Sequence, residues 1–191
     1  MPRSLVWLFA LASGLSVANV YYAQPLLDAL SRDFGISHGA IGGVVTATQI
    51  GCALALLFVV PLGDKVDRRR LMALQLVVLV AALVAVGMAQ TSTMLLAGML
   101  ATGMAGTAMT QGLIAYAANA ASPHEQGRVI GAAQGGVFMG LLVARVVSGG
   151  ISDIAGWRGM YLSAAGLMII IAFPLWWRLP RLPAVPETMS Y

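Results

Sequence analysis

The chain reads as an all-α integral membrane protein, a six-transmembrane-helix bundle built as a 3+3 inverted repeat. Three features lead there. Of 191 residues, 59% are hydrophobic and only 9% charged, with a mean hydropathy of +0.85. Soluble domains need about 25% charged residues to keep a surface wet. Six apolar runs each approach the roughly 20 residues that cross a hydrocarbon core. A shift of 89 residues lays the first three runs over the last three. This composition excludes a soluble enzyme, a nucleic-acid binder and a disordered tail. The net charge of +4 and the pI near 9.7 are therefore assigned to membrane orientation.

The first run, 5–27, follows Arg3, but it is too long for a signal peptide and further spans follow at once. The others cover 40–62, 71–89, 94–120, 129–151 and 160–177. The connections 28–39, 63–70, 90–93, 121–128 and 152–159 are short, as antiparallel neighbours require. Ser37, Ser92 and Ser122 stand where helix N-caps belong. Residues 1–178 thus form the helical domain, with repeats at about 1–89 and 90–178, and 179–191 form a Pro-rich cytoplasmic tail. Cys52 is the single cysteine, which excludes an intramolecular disulfide and any multi-cysteine metal site.

Orientation follows from the bases. Arg3, Lys65, Arg68, Arg69, Arg70, Arg128, Arg178 and Arg181 fall on one side of a six-span topology, and only Arg32 and Arg158 on the other. The basic side is cytoplasmic, so both termini are expected there. The repeat aligns 62–74 with 151–163, setting Asp64 on Asp153, Arg69 on Arg158, Gly42 on Gly131 and Gly51 on Gly140. Three spans per copy is odd, so the copies are inverted, an arrangement that carriers use.

The second connection reads Pro61-Leu62-Gly63-Asp64-Lys65-Val66-Asp67-Arg68-Arg69-Arg70. Asp64 lies at the unfavourable end of its own helix dipole and needs a partner. The arginines can meet carboxylates or lipid phosphates. This loop resembles the cytoplasmic signature of the major facilitator superfamily, Gly-x-Leu-Ala-Asp-Arg-x-Gly-Arg-Arg, with Val60 and Asp67 where glycines are usual. Three other stretches resemble bacterial efflux members of the family. They are Ala18-Asn19-Val20-Tyr21-Tyr22-Ala23-Gln24-Pro25, Ser122-Pro123-His124-Glu125-Gln126-Gly127-Arg128, and Ala144-Arg145-Val146-Val147-Ser148-Gly149 with Gly156-Trp157-Arg158.

The resemblance implies a secondary carrier in a bacterial inner membrane, exporting small organic molecules by alternating access. Gly63, Asp64, Lys65, Arg68, Arg69 and Arg70 would form its conformational gating motif, with Glu125 a candidate partner. Many proton-coupled members place an arginine early in the fourth helix. Leu96-Ala97-Gly98-Met99 has no base there, so a coupling proton would use Asp28 or a site outside this chain. Family members have twelve helices, so the resemblance implies an amino-terminal half. Its partner would be a C-terminal six-helix half or a second copy of the chain.

Polar groups within spans are expensive, which makes them candidates for a cavity. Arg145 is the foremost, either facing a cavity or pairing with Asp28 or Asp153. Asn19, Tyr21, Tyr22 and Gln24 cluster before Pro25, which should kink the first span. Gln49, Gln111, Tyr116, Asn119 and Gln134 are expected buried, as cavity contacts or interhelical glue. Small-residue stripes at 127, 131 and 135, at 136, 140, 144 and 148, and at 39, 43, 47, 51 and 55 allow close packing or sliding. Neither histidine, His38 or His124, lies in a span, and no nucleophile or phosphate-loop motif occurs, so no enzyme, cofactor or metal site is expected. The reading is a carrier of small molecules embedded in the lipid bilayer, with a six-helix scaffold lacking transport as the alternative.

Overall fold

Proline and glycine punctuate a chain that otherwise runs in apolar helices. The computed structural model describes residues 1–64 and 66–178. Helix α1, Arg3–Tyr21, stops where Pro25 has no amide to return to Tyr21. A 3₁₀ turn, Gln24–Leu26, bends the chain into α2, Leu27–Phe34. Gly35, left-handed at φ 62, closes α2 with its N–H on the Ser31 carbonyl. The first connection therefore begins only after Phe34, two turns later than expected, because the kink redirects the helix without ending it.

Helix α3, Gly42–Leu54, widens into a π turn at Ala55–Val59 and tightens into a 3₁₀ turn at Pro61–Asp64. Helix α4, Arg68–Gly87, is capped by Asp67, whose Oδ1 accepts from the Arg70 N–H at 2.8 Å. The Asp that replaces a family glycine is thus a helix cap. Helix α5, Ser92–Ala120, is capped by Thr91 instead of Ser92, its hydroxyl accepting from the Met94 N–H at 3.2 Å. Ser37 and Ser122 are not side-chain caps either. Their carbonyls accept turn N–H groups, and α3 begins after Ile41 with no side-chain cap.

The last helical segment, α6, runs Gln126–Arg178 and is two helices joined at Gly156, where φ 70 and ψ 170 are not helical. That conformation is open essentially to glycine alone. The expected connection 152–159 shrinks to this one residue. Contacts fix the two directions. The first arm, 126–155, runs parallel to α1, with Gly136 on Ala10, Gly140 on Gly14 and Arg145 on Gln24. The second arm, 157–178, starts at the Ala89 end of α4 and finishes beside Arg69 at its beginning, so it runs back along α4. Five helical stretches among the described residues are long and apolar enough to cross a membrane, counting α6 once. At 1.5 Å per residue its 53 residues would reach about 80 Å, far beyond a core of about 30 Å, so the reversal is what lets it fit.

Neighbours pack in the series α3, α5, α1, first arm of α6, with α4 and the second arm on the other side of α5. The core between them holds Phe9, Leu79, Leu83, Leu113 and Met168, all fully buried. Two crossings bring backbones into contact. A Cβ on Gly14 would lie 2.6 Å from the Gly136 carbonyl oxygen, and one on Gly140 would strike the Gly14 backbone. Across the bundle, a Cβ on Gly51 would strike the Leu100 carbonyl, and one on Gly103 the Thr48 carbonyl. By contrast Gly39, Gly43, Gly127, Gly131 and Gly135 have open space. The small-residue stripes thus split into packed and unoccupied members.

Candidate functional site

The polar residues of the spans separate into two groups. Asn19, Tyr22 and Tyr116 are buried in the core instead of lining a cavity. The Asn19 amide donates to the Leu15 carbonyl one turn back at 2.8 Å, and Tyr116 packs on Phe9 with ring centroids 6.1 Å apart. Gln49, Gln111, Asn119 and Gln134 are exposed on the outside of the bundle, not buried between helices. Where backbones touch, as at Gly51 on Leu100 and Gly136 on Ala10, there is no room for a glutamine between the helices. Tyr21 and Gln24 are half-buried.

Arg145 belongs to the outward group. Its Nη2 donates to the Gln24 side-chain oxygen at 3.1 Å, bridging the first arm of α6 to the kink after α1. Neither Asp28 nor Asp153 pairs with it. Arg145, Gln24, Gln49, Gln111 and Gln134 lie on α6, the kink, α3 and α5, the series of helices that pack side by side. A charge facing lipid costs about 2.5 to 3.5 kcal/mol. Such a surface calls for a water-filled cavity or a protein partner. The other side differs. Within the apolar body of α4 the one amide, Gln75, is buried, while Leu74 and Val77 are exposed. The second arm shows Ile169, Ile170, Phe173 and Trp177. That face suits hydrocarbon.

The ends of the helices are tied by two arginines. Arg69 donates to the Trp176 carbonyl at 2.8 Å and stacks over its ring at 4.3 Å. Arg158 donates to the Ala89 carbonyl at 3.0 Å, stacks over Trp157 at 4.3 Å and pairs with Asp33. The Trp157 indole N–H also donates to Asp33, at 3.0 Å. Sequence reasoning missed this second cluster. Its signal was the Gly156-Trp157-Arg158 turn, where a stacking ring and a fork of donors follow the break.

In the gating motif, the Arg68 Nε donates to the Gly63 carbonyl at 3.0 Å, holding the connection against the start of α4. The Asp64 backbone closes the 3₁₀ turn. Lys65 and the tail 179–191 lie outside the described residues. Among the described residues, Glu125 pairs outside the motif. It accepts from the Met1 amino group at 2.5 Å, Arg128 at 2.6 Å and Ser122 at 3.2 Å. The Met1 bond first, then Ser122 and Arg128, hold its carboxyl below the ordinary range. Buried hydroxyls at Ser13, Ser16 and Thr102, also unforeseen, have no hydrogen-bond partner among the described residues. Among the described residues no cluster of three or more His, Cys, Asp or Glu could hold a metal.

Comparison with known proteins agrees with this architecture. The family model described as Major Facilitator Superfamily matches residues 7–189. The putative transporter YgaY of Escherichia coli K12 is 39% identical over 182 residues, covering 95% of this chain and 46% of that protein. The purine ribonucleoside efflux pump NepI of Escherichia coli O127:H6 is 28% identical over 166 residues, 85% of this chain and 41% of the pump. Among solved structures, a bacterial homologue of the human lysosomal transporter Spinster, in an inward-facing unoccupied state, superposes with a TM-score of 0.76 at 18% identity. It covers 98% of this chain and 46% of its own, which establishes the shared fold. The chain spans about half the length of these relatives. Its helices, its signature loop and these matches place it in one family of integral membrane transporters: the chain belongs to the Major Facilitator Superfamily.

Proposed function

We propose that the chain supplies six crossings, as a 3+3 inverted repeat, to a secondary carrier that exports small organic molecules by alternating access. The observation that carries this reading is the outward polar surface, Arg145 bonded to Gln24 with Gln49, Gln111 and Gln134 on adjoining helices. A transporter family is not an enzyme, and a polar surface on an apolar bundle is the wall that a substrate pathway needs. Purine ribonucleosides, which the NepI pump exports, are the first class to test. Tyr21 and Gln24 join the wall, while Asn19, Tyr22 and Tyr116 shape the helices behind it.

The repeat draws support from the glycine crossings. Adding 89 to Gly14 and Gly51 gives Gly103 and Gly140, so the contact of α1 with α6 maps onto the contact of α5 with α3. The same shift carries Arg69 to Arg158, and each arginine bonds a carbonyl at the far end of the other copy's third helix. Six crossings put both ends of the domain on the cytoplasmic side of the inner membrane, by the distribution of bases. The C-terminal half of the carrier, or a second copy, would then cover the polar surface. Gly63, Asp64, Lys65 and Arg68–Arg70 would gate its movement, and a coupling proton would use Asp28 or the covering half.

The test is efflux of labelled purine ribonucleosides from cells producing the protein, with crosslinking to record what covers the chain. Asp64→Asn should abolish efflux while membrane insertion persists. Full efflux with Asp64→Asn would overturn the gating role. No efflux in any arrangement, with the chain folded and inserted, would favour a six-helix scaffold.

A further inference from the structure

Along the first arm of α6 one stripe faces outward on the polar side. Gln134, Phe138, Leu142 and Arg145 follow one another at helical spacing, and all are exposed. They span about 16 Å at 1.5 Å per residue. Phe138 and Leu142 are each 67% exposed, so an apolar stretch separates an amide from a guanidinium. Arg145 stands about 28 Å from the Gln126 end of the arm and about 16 Å from the break at Gly156. It is therefore a charge set well inside a span, next to apolar side chains that no helix of the bundle covers.

The charged end of the stripe is built from donors. An arginine side chain only donates, so the bond from Arg145 Nη2 takes the Gln24 side-chain oxygen. The Gln24 NH2 group is left with no partner among the described residues. What this pair still offers is therefore N–H groups, on the guanidinium and on the amide beside it. No carboxylate among the described residues pairs with Arg145. Asp33 is held by Arg158 and Trp157, Glu125 by Met1, Arg128 and Ser122, and Asp67 caps α4. An uncompensated charge at this depth calls for a group that only accepts and is itself negative. Carboxylate and phosphate oxygens match the arginine fork.

We propose that Arg145 and Gln24 hold the anionic group of a small organic anion whose apolar body lies along Leu142 and Phe138. Within the small organic molecules of the carrier reading, this places organic acids ahead of neutral ribonucleosides, which would leave the guanidinium uncompensated. The inference takes the substrate pathway from that reading, but the binding itself does not require transport, so the two can fail separately.

Thermal-shift titrations test it, on protein purified from membranes in mild detergent, at constant ionic strength, with benzoate, phenyl phosphate and the neutral benzamide. Benzoate or phenyl phosphate should bind about tenfold tighter than benzamide, as one charged hydrogen-bonding pair provides. The tighter of the two anions identifies the preferred group, and either order supports the proposal. Arg145→Gln should erase the preference, whereas Arg145→Lys, which keeps the charge and loses the fork, should retain part of it. Phe138→Ala should weaken benzoate and benzamide alike and leave their ratio unchanged. Arg32→Gln removes an exposed base outside the stripe and should change the ratio less than about twofold. Equal binding of anion and benzamide, no shift with millimolar anion, or a preference that survives Arg145→Gln would overturn the proposal. A carboxylate of the covering half paired with Arg145 would read as no shift, and so would overturn it too. Efflux of labelled purine ribonucleosides and benzoate, measured in parallel, separates the two readings. Efflux without anion preference ends this proposal and keeps the carrier, and anion preference without efflux of either probe keeps the site and ends the carrier.

Discussion

The two sides of this bundle are built from the same apolar residues and differ in what breaks the pattern. On α3, α5 and the first arm of α6, glutamines and Arg145 interrupt the outer surface, while glycines of these helices and of α1 let the backbones touch behind it. On α4 and the second arm, the outer surface is hydrocarbon apart from Ser163, and the arginines sit at the ends. Under the carrier reading, the first side faces water or protein and the second faces lipid. Polar side chains can be spent on the first surface because tight crossings keep its helices rigid without them.

The crossings offer the most forceful way to break that comparison. Gly51→Leu drives a side chain into the Leu100 carbonyl, and Gly140→Leu drives one into Gly14. Overpacking against side chains costs about 1–3 kcal/mol, and backbone cannot yield as side chains do. Either variant should lose the monodisperse folded species in size-exclusion chromatography. Gly131→Leu, with open space around it, should elute unchanged. Equal damage from Gly131→Leu would mean that the unoccupied stripe is packed after all.

Function should follow the polar side alone. Arg145→Leu removes the bond to Gln24 and the one charge on that surface's helices away from their ends. Efflux should fall about tenfold, equivalent to about 1.4 kcal/mol, with the melting temperature little changed. Val77→Leu on the apolar side should leave efflux within about twofold, an exposed aliphatic swap being nearly neutral. A comparable loss from Val77→Leu would erase the functional distinction between the sides.

The apolar helices were legible in the sequence, the division between the two sides was not, and the errors share a cause. Hydropathy placed the spans, because crossing a bilayer leaves no other solution for an apolar chain. The 89-residue spacing was read from Gly51, Gly140, Arg69 and Arg158, which sit at crossings and helix ends where geometry admits few residues. What failed was direction. Hydropathy states that Gln111 and Tyr116 share a span, but not that one points outward and the other into the core. In a bilayer both helix faces are apolar, so the period that reveals a buried face in soluble proteins is flat. The clamp of Asp33, Trp157 and Arg158 joins residues more than 120 apart, beyond any local pattern.

The hinge between the two sides is Gly156. A Cβ there meets nothing, so only the backbone conformation resists substitution. Gly156→Ala should cost about 1–3 kcal/mol, the expense of holding alanine in a glycine-only region. Thermal unfolding in detergent should show the loss, with efflux per folded molecule preserved. Arg158→Gln should cost less, about 1 kcal/mol, since the exposed pair with Asp33 contributes little and the Ala89 carbonyl loses one charged donor. A Gly156→Ala protein as stable as the parent would mean that the turn relaxes into helix.

The smallest effect separates the sides at their shared end. Glu125 anchors the base of the polar side through Met1, Arg128 and Ser122, whereas Arg69 and Trp176 anchor the other base with no carboxylate among the described residues. The hydrogen bonds to Glu125 keep its folded pKa below the unfolded value. Their contribution is complete above the unfolded value, declines as pH falls through the lowered folded one, and vanishes once both states are protonated. Amide hydrogen exchange at 122–128, corrected for its intrinsic pH dependence, should therefore quicken by a small factor in that acid window. Exchange at 69–72 should not change, because an arginine stays charged throughout. Parallel loosening at both bases would mean that acid acts on the whole bundle, and Glu125→Gln should then leave the pH response at 122–128 intact instead of abolishing it.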